Sequence, residues 1–315
     1  MAAATEEQLA WEARQRPRAA LAAALAGVLT LTGGVVVGLL FRGVPRAGLL
    51  DAAERAQQPG AVEGSESLRV ALFEYYDDRI AGLFATSLAS ALGLLGMGAA
   101  LYFLAIATRA RRPELPRAAV WLPVGGAALA ALATVLRPVA TATGVSNFLS
   151  GPRTVDAAQD VFSSPLGTAA GLLGLAGSLC LGLSFVLIAL NAMRAGLLTR
   201  FMGILGIIVG VLVVIPIGSP LPIVQCFWLF ALSLLFLGRL PSGVPPAWET
   251  GEAVAWPSGA EIRAQRREAM QARRGGDQPA AEEAAPDDDD EGEAPVAAGN
   301  GGAPDARKRK RKRRA

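Results

Sequence analysis

Glu74-Tyr75-Tyr76-Asp77-Asp78 is the densest group of side chains able to do chemistry, with three carboxylates and two phenols in five positions. Oxygen donors in such a row could hold a divalent cation or a cationic ligand. The same order also suits an interfacial helix whose Phe73 and tyrosines touch lipid while the acids face water, and this structural reading is the preferred one. Asn191 and Gln225 come next, as amides within apolar stretches where each needs a polar partner. For Gln225, the more suggestive of the two, an interhelical hydrogen bond worth about 0.6 kcal/mol is preferred to ligand contact. The third candidate is the terminal run Arg307, Lys308, Arg309, Lys310, Arg311, Lys312, Arg313 and Arg314. It could meet anionic head groups of a membrane or a cytosolic protein, or pair loosely with the acidic run 287–291. Nucleic acid is the weakest reading, because no aromatic residues are interleaved for base stacking.

Absent residues narrow the chemistry further. The chain has no His, so nucleophile systems of the Ser-His-Asp or Cys-His type, HExxH zinc sites and His-ligated haem have no basis in it. No Gly-rich phosphate loop occurs, and no carboxylate lies within an apolar window to mark a proton or cation path. The two cysteines, Cys180 and Cys226, fall inside apolar windows and leave no disulfide framework for an outer domain. We therefore expect a non-enzymatic protein, with no catalytic residues, no cofactor and no metal.

The elements that carry these residues follow from the charge distribution. Only 18% of the 315 residues are charged and 52% are hydrophobic, with mean hydropathy +0.38. Residues 239–315 hold 14 basic and 14 acidic groups, which leaves 16 and 13 for the first 238. Within those 238, no Asp, Glu, Lys or Arg occurs in 19–41, 80–108, 118–136, 161–193 or 201–238. Crossing about 30 Å of hydrocarbon at about 1.5 Å per residue takes about 20 apolar residues. The first four windows hold one span each. The last holds two, because Ile215-Pro-Ile-Gly-Ser-Pro-Leu-Pro222 interrupts it with three prolines, as a hairpin or a re-entrant element. The expected architecture is all-α: a polytopic transmembrane bundle with spans at about 19–41, 80–107, 118–136, 166–192, 201–217 and 222–238. It is preceded by a segment 1–18 and followed by a disordered charged tail, 239–315, too poor in large apolar residues to offset its chain entropy.

Arginines set the expected orientation. Arg14, Arg16 and Arg18, then Arg109, Arg111, Arg112 and Arg117, then Arg194 and Arg200 lie in short connections on one side, whereas the opposite connections are longer and acidic or neutral. Both termini are then cytoplasmic in a multi-pass protein of the cell membrane. The first apolar run is too long for a signal peptide and lacks an Ala-x-Ala site, so it is read as a retained helix. Trp11, Trp121, Trp248 and Trp256 lie near the expected boundaries, and Trp228 lies deep.

Glycines four apart, Gly34 and Gly38, Gly167 and Gly171, and Gly206 and Gly210, predict close helix packing or a homo-oligomer contact in spans one, four and five. No inverted duplication is visible that would support alternating access.

The stretch Arg194-Ala-Gly-Leu-Leu-Thr-Arg-Phe-Met-Gly-Ile-Leu-Gly-Ile-Ile-Val-Gly-Val211, with Phe227-Trp228, Gly238-Arg239 and Pro245-Pro-Ala-Trp248, resembles an uncharacterised actinobacterial family of six-span integral membrane proteins, a domain of unknown function. The Ala- and Arg-rich composition suits that resemblance, which covers the last three spans best. It implies a fold and a location, and carries no activity or site residues. The expected function is that of a scaffold or regulatory partner whose tail contacts lipid or protein. The alternative is a transporter or channel for a small uncharged or apolar solute, which would need a solvated cavity at Gln225, Asn191 or the 216–222 break.

Overall fold

In the computed structural model the described residues are 2–45, 67–215, 222–240, 243–254, 263–264 and 267–270. They are helical with connecting turns, and four of the helices are apolar and long enough to cross a membrane. The long helices are α1 (Ala2–Leu40), α3 (Ile80–Arg111), α4 (Arg117–Ser150) and α6 (Pro165–Arg194), and short α2 (Val70–Asp77) and α5 (Val155–Asp160) precede α3 and α6. Two shorter apolar helices follow, α7 (Arg200–Val214) and α8 (Ile223–Phe236), and then one turn, α9 (Ala247–Thr250). At 15 and 14 residues, α7 and α8 fall below the roughly 20 that a full crossing needs.

Six of these helices form a ring in the order α1, α3, α4, α6, α7, α8 and back to α1, with α3 also touching α6 across it. Neighbours in the ring run antiparallel. One end holds the N-terminal turns of α1, the α3–α4 and α6–α7 connections and residues 237–240 and 243–254. The other holds α2 and α5.

Alanine and glycine make the ring possible. Between α4 and α6, a Cβ at Gly177 would lie 2.9 Å from Ala130 Cα, and one at Gly126 would lie 2.8 Å from the Leu181 nitrogen. Backbones at that distance gain dispersion contacts that larger side chains would prevent, which is how helices associate where lipid is as apolar as their surfaces. Large apolar side chains point outward instead: Leu21, Leu88, Leu172 and Phe201 are each more than half exposed. Such a belt on a folded surface is what hydrocarbon covers.

Sequence-predicted elements need three corrections. The helix of the third window does not stop at residue 136 but runs on to Ser150. Thr141, Thr143 and Ser150 donate their hydroxyls back to the carbonyls of Arg137, Val139 and Ser146, so these polar side chains are satisfied within the helix itself. Phe73 is not a lipid contact; it is buried against Phe148, with centroids 4.6 Å apart, in a small second core with Val145, Ala158 and Val161. The charged tail does not begin at residue 239, because Ala247 and Trp248 are buried in the main core. Of Ser258–Ala315, which clusters as a unit of its own, the described residues are helical and exposed.

Candidate functional site

The end of the ring where α1 begins holds a buried ionic centre. Arg111, in the last turn of α3, donates from Nη1 and Nη2 to the two carboxylate oxygens of Glu12 at 2.7 and 2.9 Å, and solvent reaches neither side chain. Its Nε donates to the Ala247 carbonyl at 2.8 Å, and Nη1 also reaches the Ala107 carbonyl at 2.9 Å. Gln8, one turn before Glu12, adds an amide donor to the same carboxylate at 3.0 Å. A planar fork with five donors is the cation best able to satisfy a buried carboxylate, because both oxygens and the remaining N–H groups find partners at once.

Trp248 fills the rest of this end. Its indole N–H donates to the Leu197 carbonyl at 2.9 Å, and its own carbonyl accepts from Arg16 Nη2 at 2.9 Å. The Arg16 guanidinium lies 4.6 Å from the ring centroid and that of Arg111 5.4 Å, which adds cation–π attraction to the packing. Phe103 of α3 stacks on the ring at 6.1 Å and Phe236 of α8 meets it edge-on at 6.0 Å. Val254 then donates its N–H to the Ala195 carbonyl at 3.2 Å and passes over Gly196. Gly196 has φ +76°, and a side chain there would collide with the Val254 carbonyl, so two separate constraints demand glycine. Residues 247–254 thereby join α1, α3, α8 and the α6–α7 turn.

The opposite end carries a groove of about 560 Å³ between the second half of α4 and α5. Thr143, Asn147, Asp160 and Ser164 bring polar atoms to a lining that is otherwise apolar, with Val161 and Leu166 among its walls. The Ser164 hydroxyl is engaged as the cap of α6, accepting from the Gly167 N–H.

The structure separates the acidic cluster. Glu74 pairs with Arg153 at 3.3 Å, the Tyr75 hydroxyl donates to the Leu40 carbonyl at 2.6 Å, and Arg79 stacks over the Tyr75 ring at 3.6 Å. Tyr76 packs against Phe41, and Asp77 and Asp78 face outward. Asn191 donates to its own helix at the Leu187 carbonyl, 2.8 Å away, whereas Gln225 crosses to α3 and donates to Met97 Sδ at 3.2 Å.

Of the glycines predicted to pack, Gly206 and Gly210 do: added Cβ atoms would meet Ala189 Cβ at 2.8 Å and the Gly182 carbonyl at 2.7 Å. Gly38 and Gly171 face open space, and Gly167 has only its own capping serine close by. Gly34 is half-buried, and its neighbour Gly33 is the one against Ser90. Arg307, Lys308, Arg309, Lys310, Arg311, Lys312, Arg313 and Arg314 lie outside the described residues.

Sequence reasoning missed the pairing of Glu12 with Arg111, 99 positions apart. The available signal was Glu12 itself, the one acid between Gln8 and Arg18, among arginines read only as markers of orientation. No family model, curated protein or solved structure matches the chain.

Proposed function

We propose that this is a non-enzymatic six-span protein of the cell membrane, with both termini cytoplasmic, acting as a scaffold or regulatory partner through the chain beyond α8. The four long apolar helices supply the membrane setting, and the fifth and sixth crossings rest on the charge-free window 201–238, which carries the shorter apolar helices α7 and α8. Arginines at the Trp248 end supply the orientation. This reading also agrees with the resemblance to the six-span actinobacterial family.

The observation that carries the proposal is the seat of Trp248. A tail that merely trailed from the last helix would need no buried tryptophan, no carbonyl held by a buried Arg111 and no strand of chain over Gly196. Built in this way, the tail base couples whatever the distal residues hold to four parts of the bundle. Transport gains less support, because the amides of Gln225 and Asn191 are satisfied by Met97 and Leu187.

The test compares the solubilised full chain with one lacking residues 255–315, measuring which proteins and which anionic lipids each retains. Specific retention by the full chain alone supports the proposal. Equal retention, together with solute flux from vesicles reconstituted with the protein, would replace it with the transport reading.

A further inference from the structure

A second groove, of about 200 Å³, runs between α1 and α3 at the Trp248 end, on the outside of the ring. It is lined by Trp11, Gln15, Arg18 and Tyr102 over the buried Ala19 and Phe103, with Ala22 and Ala99 farther along toward the middle of the helices. Beyond them Gly96 of α3 comes close to the Ala22 carbonyl, where an added Cβ would lie 3.0 Å away. From Trp11 to Ala22 the groove follows α1 for about 16 Å at about 1.5 Å per residue.

The two ends of the groove differ chemically. A guanidinium, an amide, an indole N–H and a phenol line the part of the groove between Trp11 and Arg18, about 10 Å of α1, beside the apolar Phe103 and Ile106, and among the described residues none of these four groups has a hydrogen-bond or ion-pair partner. The end beyond Arg18 is lined by Ala22 and the exposed Ala99. Arg18 is the last charged residue before the charge-free stretch 19–41, which places the polar end at the boundary of the hydrocarbon. Tyr102 packs on Trp121, a residue 61% exposed, as aromatic side chains do at that depth. Charge at the Arg18 side is positive: Arg14 and Arg18 project from α1 and Glu12 is consumed by Arg111, while the exposed Glu6 and Glu7 lie about a turn before Trp11, at the far end of the groove.

A donor-rich, cationic mouth above an apolar slot aligned with the membrane normal matches a molecule with a phosphodiester at one end and a hydrocarbon chain at the other. We propose that the α1–α3 groove seats one anionic phospholipid. Its phosphate lies against Arg18 and Gln15, Trp11 and Tyr102 flank the head group, and an acyl chain runs over Ala22 and Ala99. This site rests on the membrane reading of α1 and α3 and is independent of the distal basic run.

Native mass spectrometry of the full chain in detergent, titrated with phosphatidylglycerol and with phosphatidylcholine of the same acyl chains, tests it. The wild-type chain should retain phosphatidylglycerol in preference. Arg18→Gln, at an exposed position, should weaken that binding about fivefold. Ala99→Leu keeps the charge but fills the slot, and should reduce retention of both lipids. A full-length variant with the eight basic residues of 307–314 changed to Gln should keep the site. Equal binding of the two lipids, wild-type binding by both Arg18→Gln and Ala99→Leu, or loss of binding in the 307–314 variant would each overturn the proposal.

Discussion

Arg111 and Glu12 share a bidentate ion pair, 2.7 Å at its shorter contact, that closes α3 onto the first turns of α1 out of reach of solvent. Attraction inside a low-dielectric region is offset by the cost of stripping water from both ions, so such a pair is a poor index of net stability. Removing one partner is a different matter, because the other ion stays buried.

Glu12→Gln and Arg111→Met should each lower stability in detergent by about 3–5 kcal/mol. The double variant should lose less than the sum of the two. A double-mutant cycle on thermal unfolding measures this coupling, and additive losses would show that the pair does not act as a unit.

Trp248→Ala should cost about 3–5 kcal/mol by emptying the space between Phe103, Phe236 and Arg16. It should also free the Val254 amide from Ala195. Hydrogen exchange at residues 247–254 should then rise to the rate of an unprotected chain, while exchange in α3 changes little. Unaltered protection of these amides would contradict the seat described for Trp248.

Glycine substitutions should divide by position. Gly177→Val and Gly126→Val would drive α4 and α6 apart, because the atoms that a Cβ meets there are backbone. Gly38→Ala and Gly171→Ala, facing open space, should leave the unfolding midpoint unchanged or raise it slightly. Unfolding midpoints in one detergent decide the matter.

Topology can be read by cysteine labelling in intact cells. Asn147→Cys and Asp160→Cys, both exposed at the α2 and α5 end, should react with a membrane-impermeant maleimide added outside. Arg14→Cys should react only after the membrane is opened. The reverse pattern would invert the proposed orientation.

Most of the bundle was readable from charge alone. Removing Asp, Glu, Lys and Arg from 19–41, 80–108, 118–136 and 161–193 leaves stretches that water cannot stabilise in exposed form, and the long helices lie there. Hydropathy records contact with lipid, however, and not the helix itself. It therefore could not follow α4 beyond Arg137, where the helix continues with Thr141, Thr143 and Ser150 bonded to their own backbone. Glycine spacing found Gly206 and Gly210 but also marked Gly38 and Gly171, which face open space, and it passed over Gly126 and Gly182, because the neighbouring helix decides which side of each helix is crowded.

The ionic centre was hidden for another reason. Its members are Glu12, Arg16, Arg111 and Trp248, drawn from three separate segments that each look like an ordinary membrane flank. Only the closed ring brings them within 3 Å. Local composition at residues 243–254, rich in Pro, Ala and Glu, gave no sign that this short stretch had a place waiting for it.

That place determines how a pull is felt. A load applied to the distal chain would meet Val254 on the α6–α7 turn first, then the indole of Trp248, before any tension reached Arg239 and the end of α8. Traction is thus divided among α1, α3, α8 and the turn in shear across packed side chains, where a direct tether would peel one helix from its end. Residues 247–254 act as a cleat, and the membrane anchorage of anything tied to this chain is that of the whole ring.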